Sequence, residues 1–152
     1  MPKNPPDDMP RITTMLYYEN VAAALDWLAK AFGFRERMRM PGPDGSIMHA
    51  EMALADGVIM LGRPDGAYRN PKRLDGVTQS LYVYVDDVNE HFRRARAAGA
   101  AIHSEPKDEF WGDRLYGAED PEGHHWYFAQ HVREVSPEEM REHMQQMAQT
   151  PA

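Results

Sequence analysis

Met15-Leu16-Tyr17-Tyr18-Glu19-Asn20-Val21 and, 67 residues further on, Tyr82-Val83-Tyr84-Val85-Asp86-Asp87-Val88 are two versions of one signal. In each, a run of strand-forming residues meets Asn or Asp just before a Val, where a side-chain oxygen caps a helix. At this offset Tyr18 matches Val85, Glu19 matches Asp86 and Val21 matches Val88. After the first copy, Val21, Leu25, Leu28 and Phe32 fall at i, i+4, i+7 and i+11, one buried helical stripe closed by Gly33. After the second, Val88, Phe92, Ala95 and Gly99 repeat the pattern, and Arg93, Arg94 and Arg96 lie off that stripe as a solvated face. The chain is an internal duplication.

Each helix precedes three short strands. The first set is Arg35–Met40, Ile47–Leu54 and Val58–Gly62, parted by Pro43-Asp44-Gly45 and Asp56-Gly57. The second is Ala101–Glu105, Arg114–Glu119 and His124–Gln130, the last two joined by the tight-turn sequence Asp120-Pro121-Glu122-Gly123. The expected organisation is an N-terminal segment 1–10, one domain over 11–132 with modules 11–62 and 79–132 and a Gly/Pro/Asp-rich linker 63–78, and a helical tail 133–152. Ser136-Pro137-Glu138-Glu139 is a capping box with Pro at the first helical position, and Met140, Met144 and Met147 give the tail an apolar stripe. The fold class is α+β, βαβββ twice and then a helix.

Alternation divides the strand residues between two faces. Leu16, Ile59, Leu61, Leu81, Val83, Trp126 and Phe128 read as the helix side. The opposite face is expected to carry Thr13, Met15, Tyr17, Ile47, His49, Glu51, Val58 and Met60 in the first copy. In the second it is expected to carry Ser80, Tyr82, Tyr84, Arg114, Tyr116, Ala118, His125 and Tyr127. That face is aromatic with a few polar groups, which suits a small-molecule cavity or, failing that, a wetter second core or dimer interface. Within it, His49, Glu51, Met60, Tyr82, Tyr84, Arg114, Tyr116, His125 and Tyr127, with Trp111 on a bordering loop, are the expected ligand-binding residues. Arg114 is expected to select an anionic group.

Composition narrows the classes. With 152 residues, 42% hydrophobic and 27% charged, the chain suits one globular domain. A net charge of -7 with scattered Lys and Arg argues against nucleic acid, and no apolar run reaches the roughly 18 residues of a membrane span. The opening MPKNPPDDMP lacks the apolar core of a secretory signal, and the chain has no cysteine, so a cytoplasmic protein without disulfides or thiolate chemistry is expected.

Two stretches carry a family resemblance. Pro41-Gly-Pro-Asp-Gly-Ser-Ile-Met-His49-Ala-Glu51-Met and Trp111-Gly-Asp-Arg114-Leu-Tyr-Gly-Ala-Glu-Asp120-Pro-Glu-Gly123-His-His-Trp126, with the duplication, resemble the vicinal-oxygen-chelate (glyoxalase/bleomycin-resistance/dioxygenase) superfamily over roughly residues 10–132, and within it the PhnB-like subgroup. The resemblance implies a curved eight-stranded sheet around a cleft and a homodimer. The superfamily's enzymes hold a divalent metal on the first and last strands of each copy, positions that fall here on Thr13, Met60, Ser80 and Tyr127. None is an ordinary ligand for such an ion, and a one-residue slip to Gln79, Leu61 and Phe128 rebuilds nothing. The resemblance then implies a metal-free binder of an aromatic or amphipathic molecule, similar to bleomycin-resistance proteins. The alternative is a lyase, isomerase or dioxygenase with one divalent metal at His49, Glu51 and His125.

Overall fold

The computed structural model describes residues 1–149. The first copy runs β1 (Thr14–Tyr17), α1 (Val21–Phe32), β2 (Arg35–Pro41), β3 (Ile47–Leu54) and β4 (Gly57–Gly62). The second runs β5 (Ser80–Tyr84), α2 (Val88–Ala97), β6 (Ala101–Asp108), β7 (Asp113–Glu119) and β8 (His125–His131), and α3 (Pro137–Gln149) follows. The eight strands hydrogen-bond as two four-stranded sheets with the same order, β1-β4-β3-β2 and β5-β8-β7-β6. In both, the first and last strands of the copy pair in parallel and the others antiparallel. The duplication read in the sequence is therefore a duplication of topology.

The caps act where the residues place them. The Asn20 side chain accepts the Ala23 N–H at 3.0 Å, and Asp87 accepts the Glu90 N–H at 3.0 Å. Gly33 ends α1 with φ at 80°, a left-handed turn that a side chain resists. Ser136 opens α3 by accepting the Glu139 N–H. The strand expected to stop at Glu105 continues through Pro106 to Asp108. It lies at a sheet edge and is out of step with β7 around Pro106, so the missing N–H of proline costs no ladder bond.

One core serves both copies. α1 and α2 pack against each other, and Phe32 at the end of α1 meets Trp126 and Phe128 of β8 with ring centroids 5.4 and 4.6 Å apart. Leu28, Phe32, Met52, Leu61, Val88, Trp126 and Phe128 are fully buried there. Arg94 is exposed with Arg93 and Arg96, on the solvated face expected of it. Its guanidinium nevertheless reaches α1 and donates to the carbonyls of Lys30 and Ala29 in that helix's last turn. Arg93 and Arg96 pair with Glu90 and Glu105.

Tyr116 corrects the expected face of β7. It is fully buried on the helix side, its hydroxyl donating to His91 Nδ1 at 2.6 Å while His91 Nε2–H donates to the Phe32 carbonyl at 2.8 Å. Burial holds the His91 imidazole below its ordinary pKa and pushes the Tyr116 phenol up. Ala118 lies on the same side, opposite Trp126. Arg114 stands opposite Gln130, whose side chain accepts the first N–H of α2, so this pair also belongs to the helix side.

The Asp120–Gly123 turn joins the copies. Asp120 is buried and accepts four hydrogen bonds, from Tyr18 Oη (2.7 Å), Trp126 Nε1 (3.1 Å) and the N–H groups of Glu122 and His124. Glu122 accepts the N–H groups of Glu19 and Asn20, at the entry to α1, and Asn70 Nδ2 from the linker. Removing a buried charged acceptor strands several donors at once. Asp120→Ala is expected to lower the unfolding free energy by about 3 kcal/mol, and Tyr18→Phe by about 1.5 kcal/mol, in urea denaturation.

Candidate functional site

α1 and α2 cover one face of the sheets, and among the described residues no helix packs on the other. On the second sheet this open face carries the odd-numbered residues of β7 and β8, because Glu119 pairs with His125, Gly117 with Tyr127 and Asp113 with His131. Tyr82 and Tyr84 of β5 share it, 44% and 61% exposed, with Tyr82 beside Tyr127.

A polar cluster at one end of the face is built on Asp113, which is buried. Its Oδ2 accepts the Tyr82 hydroxyl at 2.5 Å and the Tyr84 hydroxyl at 2.9 Å, and its Oδ1 accepts His131 Nδ1–H at 2.8 Å. Trp111 Nε1–H donates to the Tyr82 oxygen at 3.0 Å. The loop that delivers Trp111 and Asp113 turns at Gly112, with φ at 102°. The Gly112 carbonyl accepts the N–H groups of Val132 and Arg133, and a Cβ there would collide with the Arg133 carbonyl. Only glycine fits. Mid-sheet, the Tyr127 ring lies over Gly117, where a Cβ would stand 3.1 Å from its Cε1.

The electrostatics follow from that sharing. Burial, then the Asp113 carboxylate, pushes the Tyr82 phenol up to about 12. Burial works to raise Asp113, but the hydrogen bonds from Tyr82, His131 and Tyr84 hold it below the usual carboxylate range. The bond to Asp113, helped by Glu134, raises the His131 imidazole.

On the first sheet the open face carries Met15, Tyr17, His49, Glu51 and Met60. His49 Nε2 lies 3.8 Å from Glu51, whose other oxygen lies 3.5 Å from Arg37. Tyr17 stacks on Tyr68 of the linker at 4.3 Å. The expected convergence of His49 and Glu51 with His125 does not occur. His125 is on the other sheet, and among the described residues its metal-type neighbours are His103 and Glu119. Arg114, expected on the open face to select an anionic group, is paired with Asp108 and is removed from that face.

Sequence reasoning thus placed Tyr82, Tyr84, His125, Tyr127, His49, Glu51 and Met60 on the open face, where they stand. It missed Asp113, His131, Glu119 and His103. The signal was available in the turn: with Asp120 and His124 as its paired ends, strand partners sum to an even number, so Asp113 and Glu119 must share the face of Tyr127.

No helix is long and apolar enough to cross a membrane among the described residues. The family model described as Glyoxalase/Bleomycin resistance protein/Dioxygenase superfamily matches residues 12–128. An uncharacterized protein of Mycobacterium tuberculosis is 36% identical over 137 residues, 87% of this chain and 81% of that protein. The crystal structure of TioX from a Micromonospora species is 36% identical, covers 82% of this chain and 100% of that one, and superposes with a TM-score of 0.69. TnmS3, an antibiotic binding protein from a Streptomyces species, shares the fold at 23% identity and a TM-score of 0.64, over 82% of this chain and 98% of its own.

Raised above its ordinary value, the His131 imidazole contributes to stability fully below pH about 6.5 and progressively less as pH rises through its folded-state value. Ring-proton NMR titration is expected to find His131 titrating above the ordinary imidazole value of about 6.5, and Asp113→Asn to lower it.

Proposed function

The chain belongs to the Glyoxalase/Bleomycin resistance protein/Dioxygenase superfamily, and from that premise we propose that it is a small-molecule binding protein, holding an aromatic or amphipathic ligand against the open face of the second sheet. The observation that carries this reading is the array of Tyr82, Tyr84 and Trp111 tied to buried Asp113 on a face that no helix covers among the described residues. Aromatic rings supply stacking area at small entropic cost, and rings already fixed by their polar edges lose still less freedom on binding. Tyr127, flat over Gly117, continues the surface along the sheet.

The donor set at the superfamily's metal positions supports binding over metal-dependent turnover. The hydroxyls of Thr13 and Ser80, the Met60 thioether and the Tyr127 phenol are a poor set for a hard or borderline divalent ion, so that metal does not fit there. TnmS3 shows that the same fold can serve antibiotic binding. The PhnB-like assignment, carried by the Pro41–Met52 and Trp111–Trp126 stretches, and a cytoplasmic location belong to the same proposal.

A homodimer completes it. Tyr82, Tyr84 and Met40 are exposed apolar residues on the open faces, and a second copy laid over them supplies the missing wall of a cavity.

Titration with flat aromatic dyes and antibiotics, followed by tryptophan fluorescence, tests the reading. Trp111→Ala is expected to weaken binding by about 1 kcal/mol, the order for a lost aromatic stack. Asp113→Asn is expected to weaken it by freeing both phenols, whereas His49→Ala and EDTA leave it nearly unchanged. Binding unaffected by Trp111→Ala and Asp113→Asn together would overturn the site. Light scattering is expected to give twice the chain mass, and a strict monomer at micromolar concentration would remove the dimer.

A further inference from the structure

We propose that His103, Glu119 and His125 form a binding site for a first-row divalent transition metal on the open face of the second sheet, a site independent of the aromatic one. Three adjacent strands supply it. Glu119 ends β7 directly opposite His125, which begins β8. β6 pairs with β7 at Ala101 and Ile102 and then resumes one residue out of step at Ser104, which leaves His103 as the extra residue of a bulge. A bulge takes a side chain out of regular alternation and re-aims it. Here it brings the His103 ring over Glu119 and beside His125.

The distances suit coordination. His103 Nε2 lies 3.0 Å from Glu119 Oε2, and His125 Nε2 lies 3.8 Å from the same oxygen. The two rings are 4.7 Å apart, and one ligand atom from each of the three residues lies within 4.8 Å of the others. Ligand atoms about 2.1 Å from a zinc-sized ion and set at tetrahedral or octahedral angles are about 3.0–3.5 Å apart. The observed spacings bracket that range, so side-chain rotation alone closes the site. The strands themselves need not move, which is the preorganisation that a metal site requires.

Chemistry selects the ion. Two imidazole nitrogens and one carboxylate oxygen favour Zn²⁺, Co²⁺, Ni²⁺, Cu²⁺ or Fe²⁺ over Mg²⁺ and Ca²⁺, which demand oxygen. All three side chains are partly open to solvent. Three protein ligands with an open side leave coordination positions for water or an outside ligand. None of the three is at a position where the superfamily's enzymes hold metal. Asp113 and His131 lie six residues further along their strands, about 20 Å away at strand rise, so the cation and the aromatic patch can be tested apart.

Calorimetric titration of the full chain with ZnCl₂, after dialysis against chelator and its removal, tests the site, with Co²⁺ absorption as a spectroscopic readout. One equivalent per chain is expected, with a zinc-dependent rise in melting temperature. His103→Ala, Glu119→Gln and His125→Ala are each expected to weaken binding by roughly tenfold or more, since lesser outer-sphere changes already cost that much. Their melting temperatures without zinc should stay near that of the parent chain, because the residues are partly exposed. His49→Ala and His131→Ala should bind zinc as the parent does. Absence of saturable zinc binding, or a site that survives His125→Ala and Glu119→Gln, would overturn the proposal.

Discussion

The buried carboxylate of Asp120 is the interaction on which the arrangement of the two copies depends. A carboxylate removed from water is tolerated only when its lone pairs are filled, and Asp120 fills them with two backbone N–H groups of its own turn, the Trp126 indole and the Tyr18 hydroxyl. Three of those donors belong to the second copy and one to the first. Two residues on, Glu122 seals the entry to α1 through the Glu19 and Asn20 N–H groups. A turn that looks like a hairpin connection is thus the place where the second copy grips the first. The aromatic core around Phe32 and the Arg94 bridge to α1 close the same joint from the helix side.

Much of this was legible because the relevant physics is local. Asn20, Asp87, Gly33 and Ser136 sit at helix ends whose hydrogen bonds run three or four residues along the chain, and stripes such as Val21-Leu25-Leu28-Phe32 need only helical periodicity. The offset of 67 residues exposed the duplication without any tertiary knowledge. The errors came from non-local geometry. Which face β7 presents depends on how many residues its turn spends, and a miscount by one exchanged Asp113 and Glu119 for Arg114 and Tyr116. His103 was missed because the face that β6 turns toward Glu119 is fixed by its pairing with β7, which the sequence alone does not show. The reach of exposed Arg94 to the α1 carbonyls was not legible, because nothing near it in sequence shows them.

The two copies have kept one topology while their open faces have diverged. The first offers thioethers and a polar chain of His49, Glu51 and Arg37, and the second offers phenols on one carboxylate at one end and two imidazoles on another carboxylate at the other. The helix-side residues had no such latitude, since they share a core. Duplication left the outward positions of the strands free to take on different chemistries.

The way Tyr82 and Tyr84 share Asp113 has a consequence for what can dock on them. Both phenolic protons point inward to a single oxygen of a buried anion, and the only indole proton of Trp111 is given to Tyr82. What the cluster turns outward is therefore lone pairs and ring faces, with no proton left to offer. A guest rich in carbonyls or carboxylates finds no polar welcome there, whereas one edged with N–H or O–H groups, or carrying a delocalised positive charge over its rings, finds acceptors already aligned. The polarity of the patch is one-directional, set from beneath by a carboxylate that the guest never touches.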